Sequence, residues 1–398
     1  MTDAGDSNNA DSGMPVLALN AGSSSLKLGF YRVNATAADA VLSGTIEFAE
    51  DGSGTIQARD SSGNTLSSDK IIDRDPQQII AGIQNLLSDL ALPAPRAIGH
   101  RIVHGGIHVR RHSLIDAAVL EQLQAARAFA PLHVPPALAL LHAAQEHFPS
   151  VAQVACIDNA FHADLPEVAR TLPIPRELRA QGIQRYGFHG LSGESIVRQL
   201  RPDLPLRVVI AHLGNGASVT AVLDGKSIDT SMGLTPSGGV IMGTRSGDLD
   251  PGVLVYLMRE KGLDAVQLEN LIDHRCGLLG ISGIASDMRQ LHAASSSNAD
   301  ASLAIEMFCY SVRKHIAAMA VALGGLDLLV FTGGIGEHDA AVRASICEGL
   351  SWLGISEDSK AASRCQVRVM PAQEEQQIAI HTWRLSSVVG DRVIPRLQ

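Results

Sequence analysis

Two stretches of the chain, about 190 residues apart, repeat the same succession of residue types. Residues 16–34 (VLALNAGSSSLKLGFYRVN) and residues 207–229 (RVVIAHLGNGASVTAVLDGKSID) each predict an apolar strand, a turn of small residues and a second strand. In both stretches a polar residue stands near the end of the first strand. The spacing is too long for a solenoid repeat, and 398 residues exceed what one hydrophobic core usually organises. The sequence therefore predicts a duplicated α/β domain.

The composition is that of a globular protein, with 45% hydrophobic and 18% charged residues and a net charge of −9. This negative charge argues against nucleic-acid binding, which needs a basic surface. No apolar run approaches the ~20 residues that span a bilayer. Residues 1–13 are acidic and polar, which predicts a flexible tail and not a signal peptide. We therefore expect a cytoplasmic protein that binds neither nucleic acid nor membrane.

The five cysteines are widely scattered and form no CxxC pair. A zinc site or a thioredoxin-like redox motif is therefore not expected. We expect buried or half-buried free thiols, as in a reducing compartment.

Apolar periodicity predicts the remaining elements. The predicted strands cover residues 42–49, 96–103, 151–157 and 327–332, with a turn at 60–64. The predicted helices cover residues 75–91, 114–129, 135–148 and 302–323, and residues 375–398 are expected to be partly helical. A glycine-rich turn and a helix start are expected directly after the strand at 327–332.

Three turns rich in glycine or serine follow predicted strands, at residues 20–25, 212–216 and 333–337. Small residues let backbone N–H groups approach a phosphate closely, although one such turn alone is more often only a turn. Together they favour a nucleotide site between the two domains. Neither GxxxxGK[ST] nor a strand–GxGxxG–helix unit occurs, so P-loop and Rossmann sites are excluded.

Three basic residues stand beside these turns or beside other glycines. Lys27 follows the first turn, and Arg101 lies in an apolar strand before a glycine pair. Arg245 lies in the small-residue segment MGTRSGD. A buried arginine needs an anion, which can be a substrate or an internal carboxylate, and a strand lysine can simply face solvent. Taken together, the three predict a clamp for anionic substrates of the kind that phosphoryl transfer requires.

Two carboxylates follow predicted strands. Asp158 ends the apolar strand VAQVACID, where α/β enzymes often hold working residues, and a helix N-cap is the alternative. Glu374 follows VRVMP and is either a ligand on the magnesium side of the site or a surface carboxylate.

At this point the motifs form a pattern that resembles the acetate kinase family over about residues 14–385. The matching motifs are LNAGSSSLK, GHRIVHGG, APLH, D-x-AFH, RYGFHG, HLGNGAS, DTSMG-x-TP, MGTRSGDLDPG, GLLGISG, SDMR, FTGGIGE and QEE-x-x-IA. The resemblance implies two duplicated ribonuclease H-like (actin-like ATPase) domains with the active site in the interdomain cleft. It places an N-terminal domain at 14–160, with a C-terminal helix at about 376–398 packing back on it. It places a C-terminal domain at 161–375, carrying most of the nucleotide site. Homodimers are usual in that family.

The resemblance implies reversible phosphoryl transfer between ATP and acetate, giving acetyl phosphate and ADP, with propionate as the alternative acceptor. It implies a magnesium ion, for which Mn²⁺ could substitute. The implied catalytic residues are Asp158, His189 and Arg245, and the implied substrate-binding residues are Arg101, Val103, Leu132, Phe188 and Pro236. The implied metal ligands are Asn20 and Glu374. The implied ATP-binding residues are Lys27, His212, Leu213, Gly214, Asn215, Gly216, Asp287, Met288, Arg289, Gly334, Ile335, Gly336, Glu337 and His338.

The chain departs from the family pattern at several positions. The threonine that usually follows the catalytic aspartate is Asn159, and the histidine that commonly closes YGFHG-x-x-H is Gly193. The asparagine after APLH is Val134, the glutamate of TPLEG is lost at Gly238, and GIGEN ends in His338. The departures near 238 and at 338 bear on nucleotide and acyl preference more than on the reaction.

Overall fold

The computed structural model describes residues 13–22, 25–48, 53–356 and 364–390. Contacts between α-carbons divide the chain into unit 1, which comprises Met1–Ala160 and Gln373–Gln398, and unit 2, which comprises Phe161–Ala372. Except for Gly13, the expected tail lies outside the described residues. So do Ser23 and Ser24 of the first small-residue turn, and residues 391–398 of the expected C-terminal helix.

Unit 1 contains a sheet whose described strands run in the order β5-β4-β3-β2-β1-β6-β8-β7. β1 is antiparallel to β2 and parallel to β6, which is parallel to β8. Residues 16–19 of the first strand are fully buried, which matches a central strand covered on both faces. The strands are β1 (Met14–Ala21), β2 (Ser25–Val33), β3 (Ala38–Phe48), β4 (Ser53–Asp60), β5 (Thr65–Asp73), β6 (Ala97–Ile102), β7 (Ser113–Leu114) and β8 (Ala152–Ile157).

Three helices of unit 1 lie between these strands: α1 (Pro76–Asp89), α2 (Ala117–Ala125) and α3 (Val134–His147). Asp75 caps α1 by accepting the N–H groups of Gln77 and Gln78, so the predicted helix at 75–91 is confirmed. The helix predicted at 114–129 is wrong in its extent. Residues 113–114 pair with β8, and Asp116 caps a helix that ends at Ala125 and continues only as a 3₁₀ turn.

Unit 2 contains a second sheet, whose described strands run in the order β11-β10-β9-β12-β13. These strands are β9 (Arg207–Leu213), β10 (Ala217–Leu223), β11 (Lys226–Thr230), β12 (Leu328–Thr332) and β13 (Gln366–Val369). Two antiparallel pairings join β9, β10 and β11, and two parallel pairings join β9, β12 and β13. The strands β3-β2-β1-β6-β8 of unit 1 have the same order and directions. The predicted duplication is therefore confirmed, and each unit has the ribonuclease H-like arrangement of strands.

The helices of unit 2 vary widely in length. They are α4 (Glu167–Arg170), α5 (Arg176–Arg179), α6 (Gly190–Leu200), α7 (Pro251–Lys261), α8 (Ala265–Asn270), α9 (Gly277–Ser282), α10 (Met288–Ala294), α11 (Ala299–Ala322), α12 (Gly333–His338) and α13 (Ala340–Glu348). The long helix α11 confirms the prediction for 302–323. The last helix, α14 (Glu374–Gly390), belongs to unit 1 and packs on β1, β2, β6 and β8. No helix in the described part of the chain is long and apolar enough to cross a bilayer.

The expected glycine-rich turn after β12 is absent, because α12 begins at once with Gly333. Gly333 has φ +79°, and a β-carbon there would lie 2.8 Å from the carbonyl oxygen of Leu213. Glycine is needed at this position both for the left-handed backbone and for the close approach to the neighbouring strand. The five cysteines are free, four of them buried and Cys276 half-buried, as expected.

Candidate functional site

In unit 1, Arg101 lies near the carboxyl end of β6 and forms a salt bridge with Asp158, the residue that follows β8. Arg101 Nη2 donates to Asp158 Oδ2 at 2.7 Å, and Asp158 is fully buried. Arg101 Nη1 donates weakly to Asn20 Oδ1 at 3.4 Å. The buried Arg101 Nε has no hydrogen-bond partner among the described residues. Asp158 is therefore the internal carboxylate that the sequence left open as an alternative partner of Arg101. It still leaves N–H donors of the guanidinium available for a further anion.

Asn20, the penultimate residue of β1, contacts two carboxylates at the start of α14. Its Nδ2 donates to Glu374 Oε2 at 2.9 Å and to Glu375 Oε1 at 2.8 Å. The motif QEE indicated only Glu374, so Glu375 is a further member of this group that the motif did not reveal. The result is a cluster of carboxylate and amide oxygens, the ligand type that hard divalent cations prefer.

The electrostatics of this group follow from its burial. Burial lowers the pKa of Arg101, but the charges of Asp158 and Glu374 outweigh this effect and raise it above its ordinary value. Burial also raises the pKa of Glu375, and the adjacent Glu374 raises it further. The two glutamates thus repel each other in a poorly hydrated place, which a bound cation would relieve.

Lys27 lies directly opposite Asn20 in the β1–β2 register, with its side chain exposed. It lines an open groove of about 320 Å³ whose walls also include Glu47, Arg59 and Glu375. Lys27 is thus next to the Asn20 group, and its contact with a phosphate stays a prediction. This groove belongs to unit 1 alone.

The residues expected to line an acyl pocket differ in burial. Val103 and Phe188 are buried, whereas Leu132 is 42% exposed. Val103 and Leu132 belong to unit 1, and Phe188 and Pro236 belong to unit 2. Pro236 also contributes the carbonyl oxygen that accepts a hydrogen bond from Arg245.

In unit 2, His189 and His212 form a stacked pair with ring centroids 4.2 Å apart. Each Nδ1 atom is hydrogen-bonded to a serine hydroxyl: His189 to Ser218 at 3.0 Å and His212 to Ser192 at 2.8 Å. His189 has φ +58°, a left-handed conformation that is uncommon outside glycine and is often found at functional sites. The two rings are therefore fixed in orientation by the backbone, by each other and by the serines.

The side chains of His189 and Arg245 both approach Gly216. A β-carbon on Gly216 would lie 3.3 Å from His189 Nε2 and 3.4 Å from Arg245 Nη1. Arg245 Nη1 is oriented by the carbonyl oxygen of Pro236 at 3.1 Å. Two nitrogen-rich side chains thus face the same glycine of the loop that the sequence predicts to bind phosphate.

The glycine loop at residues 212–216 also lies close to the start of α12. A β-carbon on Gly214 would be 3.8 Å from the backbone nitrogen of Gly334 and 3.9 Å from His212 Nε2. Gly334 itself is exposed, and nothing lies within 4 Å of the place a β-carbon would take. Backbone N–H groups and imidazoles around open space can accept a polyphosphate.

The segments expected to bind adenosine are held by their own contacts. Asp287 caps α10 through the N–H of Arg289, whose exposed guanidinium returns to the same carboxylate at 2.6 Å. The Glu337 carboxylate of α12 accepts two backbone N–H groups, while His338 is exposed. His292 Nε2 and Asp339 Oδ2, 2.8 Å apart, link α10 to the residue that follows α12.

Two of the departures from the family pattern have structural consequences. The Asn159 side chain is buried, and its Nδ2 has no hydrogen-bond partner among the described residues. A β-carbon at Gly193 would lie 2.9 Å from the ring of Phe161, so a larger residue there requires that ring to move.

The sequence pattern alone did not indicate Ser192, Ser218 or Glu375 as members of the site. Ser218 lies opposite His212 in the β9–β10 register. This position could have indicated a residue near the loop, but not that its hydroxyl bonds to His189.

A duplicated sheet of this order defines the actin-like ATPase class of fold, and unit 2 adds a loop surrounded by nitrogen donors. Residues 15–383 match the Acetokinase family, and the chain belongs to it. It is 40% identical over 402 residues to an acetate kinase of Rhodopseudomonas palustris, covering 93% of this chain and 98% of that protein. It resembles the crystal structure of a propionate kinase from Francisella tularensis (TM-score 0.86, 35% identity) and that of Porphyromonas gingivalis acetate kinase (TM-score 0.82, 33% identity). Each comparison covers 94% of this chain and 100% of the other.

Proposed function

We propose that this protein is an acetate kinase, which transfers the γ-phosphoryl group of ATP reversibly to acetate and gives acetyl phosphate and ADP. Membership of the Acetokinase family and the names of its relatives support the reaction class. The observation that carries the proposal is the pair of anion-directed groups. In unit 1 this is Arg101, whose Nε has no hydrogen-bond partner in the described part of the chain, and in unit 2 it is His189 with Arg245 at Gly216.

The chemical difficulty of the reaction is charge. Acetate is already ionised at neutral pH and needs no base, but its carboxylate must approach a polyanionic phosphate. One such like-charge contact costs about 1–4 kcal/mol at about 4 Å, depending on the effective dielectric. We therefore propose direct in-line transfer, in which positive side chains offset this repulsion and align the reactants.

Arg101 is proposed to bind the carboxylate of acetate or the acyl phosphate. Its guanidinium is already oriented by Asp158, so little side-chain entropy is lost when the substrate binds. Asp158 is proposed to hold Arg101 in place. It is not proposed as a general base, because ionised acetate has no acidic proton for a base to remove.

His189 and Arg245 are proposed to stabilise the charge that develops on the transferred phosphoryl group. Their nitrogen atoms face Gly216, whose loop would hold the phosphates through backbone N–H groups. The proposal requires that the carboxylate of acetate, held by unit 1, and the γ-phosphate of ATP, held by unit 2, come into contact during turnover.

ATP is proposed to bind unit 2 through residues 212–216, 287–289 and 334–338, with Lys27 of unit 1 as a further phosphate contact. The open backbone of Gly334 beside Gly214 supports phosphate binding there. The exposed side chains of Arg289 and His338 would contact the nucleoside.

Asn20 and Glu374, whose side chains are in contact, are proposed to hold Mg²⁺, because amide and carboxylate oxygens are the ligand type that suits this ion or Mn²⁺. Magnesium usually keeps several water ligands, so two or three protein oxygens suffice. The ion would neutralise phosphate charge while the chain's own residues orient the reactants. Isothermal titration with Mg²⁺ in the presence of ADP should detect the site, and Asn20→Ala should abolish the binding.

Propionate is a second candidate acceptor, because the structural relative from Francisella tularensis is a propionate kinase. The buried Val103 and Phe188 favour a small acyl group. One methylene group in an apolar pocket changes specificity by only ~1–3 kcal/mol, so we expect activity with both acids and a higher kcat/KM for acetate. A higher kcat/KM for propionate would reverse this assignment.

We further propose a cytoplasmic homodimer. Helix α7 has no buried residue in the single chain, and Val255, Tyr256 and Met258 on it are exposed, so a second copy would cover apolar surface there. The free cysteines suit a reducing compartment. Light scattering after gel filtration should give twice the mass of the chain.

The decisive experiment is a hydroxylamine trap for acyl phosphate. Purified protein with ATP, Mg²⁺ and acetate should form acetohydroxamate, and omission of any one component should prevent it. A protein that hydrolyses ATP without forming hydroxamate would instead belong to the switch-like ATPases of this fold class.

A further inference from the structure

The side chain of Glu337 is directed into unit 2 and joins two backbone segments. Its Oε1 accepts the N–H of Gly333 at 3.0 Å and the N–H of Ala372 at 3.1 Å. Gly333 begins helix α12, which carries the proposed phosphate contact Gly334. Ala372 lies after strand β13 and is the last residue of unit 2.

Both N–H groups lack the usual partner at these positions. The N-cap residue Thr332 makes no side-chain hydrogen bond to α12, and the N–H of Gly333, the first residue of the helix, has no carbonyl acceptor within it. Glu337, about one turn further along the same helix, accepts this N–H. The β12–β13 ladder ends with Met370 N donating to Phe331 O, because β12 gives way to α12 at Gly333. Ala372 is the next residue whose N–H would face β12, and Glu337 accepts this N–H in place of a further strand carbonyl.

Other contacts hold the same two segments in place. Arg343 Nη1 donates to the carbonyl oxygens of Gly336 and Glu337 and so satisfies the carboxyl end of α12. Gln199 Nε2 donates to the carbonyl oxygen of Pro371. Among these bonds, only those of Glu337 join the first turn of α12 to the segment after β13.

We propose that Glu337 is a positioning residue that couples nucleotide binding at α12 to the order of residues 370–372. The coupling has a consequence because Glu374, a proposed magnesium ligand, follows Ala372 by only two residues. The inference rests on the proposed function and refines it: within residues 334–338, it assigns Glu337 to holding the first turn of α12 and not to direct contact with ATP.

Kinetics provide the first test. Glu337→Ala should raise the KM for ATP by about 10-fold, the worth of a backbone hydrogen bond to a charged group, and leave the KM for acetate unchanged. Glu337→Gln keeps an oxygen acceptor at the same place and should restore most of the wild-type KM. A Gln variant as impaired as the Ala variant would show that the charge itself acts on the nucleotide and would overturn the proposal.

A double-mutant cycle removes the other end of the bond. Ala372→Pro deletes the N–H that Glu337 accepts and should raise the KM for ATP to a similar degree. The double variant Glu337→Ala/Ala372→Pro should be no worse than the more impaired single variant. Additive effects would mean that the two residues act independently.

Amide hydrogen exchange gives a readout apart from activity. In the wild type, Mg·ADP should slow exchange in peptides covering 328–338 and 366–374 together. In Glu337→Ala, protection should persist in 328–338 and be lost in 366–374. The matched control Arg343→Ala, which loosens α12 without touching Ala372, should keep the joint protection. Joint protection in Glu337→Ala would overturn the proposal, whereas a wild type without hydroxamate activity would refute only the proposed function.

Discussion

The imidazole rings of His189 and His212 lie against each other, with centroids 4.2 Å apart and planes inclined by 20°. His212 is the penultimate residue of β9, and His189 precedes α6, so two separate elements build the pair. The Ser218 hydroxyl is hydrogen-bonded to His189 Nδ1, and the Ser192 hydroxyl to His212 Nδ1. The orientation of His189 Nε2 towards the loop at Gly216 is therefore set in part by Ser218, which is not among the proposed substrate-binding residues.

Removal of the Ser218 hydroxyl should slow the reaction without weakening nucleotide binding. We expect Ser218→Ala to lower kcat about 5-fold, because a hydrogen bond worth about 1 kcal/mol orients His189. The KM for ATP should not change. Ser227→Ala is the matched control, since Ser227 makes the same kind of bond to His162 Nδ1 at 2.8 Å. Equal losses in both variants would indicate a general effect of destabilisation.

Arg245 is expected to contribute mainly to the transition state. Arg245→Ala should lower kcat by at least about 10³-fold, as the loss of an arginine does at other phosphoryl-transfer sites. Arg245→Lys should recover only part of this, because the ammonium group lacks the planar array of donors. The exposed Arg275 provides the control, and Arg275→Ala should retain wild-type turnover. An Arg245→Ala enzyme with near-normal kcat would exclude the assigned role.

Arg101 should govern the acyl substrate and not the nucleotide. Arg101→Ala is expected to raise the KM for acetate by about 10- to 100-fold, the worth of charge-assisted hydrogen bonds, with little change in the KM for ATP. Initial rates at varied acetate and saturating ATP measure this effect. Arg127→Ala, at an exposed site, should be silent. Equal rises in both KM values would contradict a carboxylate-binding role.

The Arg101–Asp158 pair should be important for stability as well. Asp158→Asn removes the carboxylate that is salt-bridged to the Arg101 guanidinium and should lower the free energy of unfolding by about 3 kcal/mol. The double variant Arg101→Met/Asp158→Leu should regain much of this stability while remaining inactive. Urea titrations of the wild type, Asp158→Asn and the double variant measure the free energy of unfolding. A double variant less stable than Asp158→Asn would show that the pair is strongly stabilising by itself.

Stability should also fall in mild acid because of His100, a buried residue of β6. Burial lowers the pKa of His100 to about 4, although its hydrogen bond to Gln153 opposes the shift. The unfolded chain binds a proton at about pH 6.5, so the folded state loses stability as the pH falls from 6.5 to 4. The loss from this residue should approach about 3 kcal/mol and then level off. His100→Asn should flatten this part of the curve of unfolding free energy against pH.

The sequence predicts most of this fold where the pattern is strong. The two hairpins at 14–33 and 207–223 and the helix α11 follow directly from apolar periodicity and small-residue turns. Helices α7 to α10 were not predicted, since three of the four are short and α7 has no buried residue to mark an apolar face. The short strand β7 was missed because two residues carry no periodicity.

The sequence indicated some residues of the candidate site but not others. Arg101 and Asp158 could be chosen because a charge in or after an apolar strand needs an explanation. The partners Ser192, Ser218 and Glu375 could not, because only the folded chain brings a hydroxyl 29 residues away to His189 Nδ1. The bonds of Glu337 to Gly333 and Ala372 were missed for the same reason.

Asn20 and His212 occupy the same place in the two sheets, each the last residue but one of a strand that opens a hairpin. Side chains alternate between the two faces of a strand, so a slip of one residue in either hairpin would turn these groups to the opposite face. The buried leucines at 17, 19, 26 and 28 penalise such a slip in the first hairpin. The aliphatic core of unit 1 thus fixes the strand register that places Asn20 on the correct face of the sheet. Core substitutions that permit a shift of this register should abolish activity in proteins that still fold.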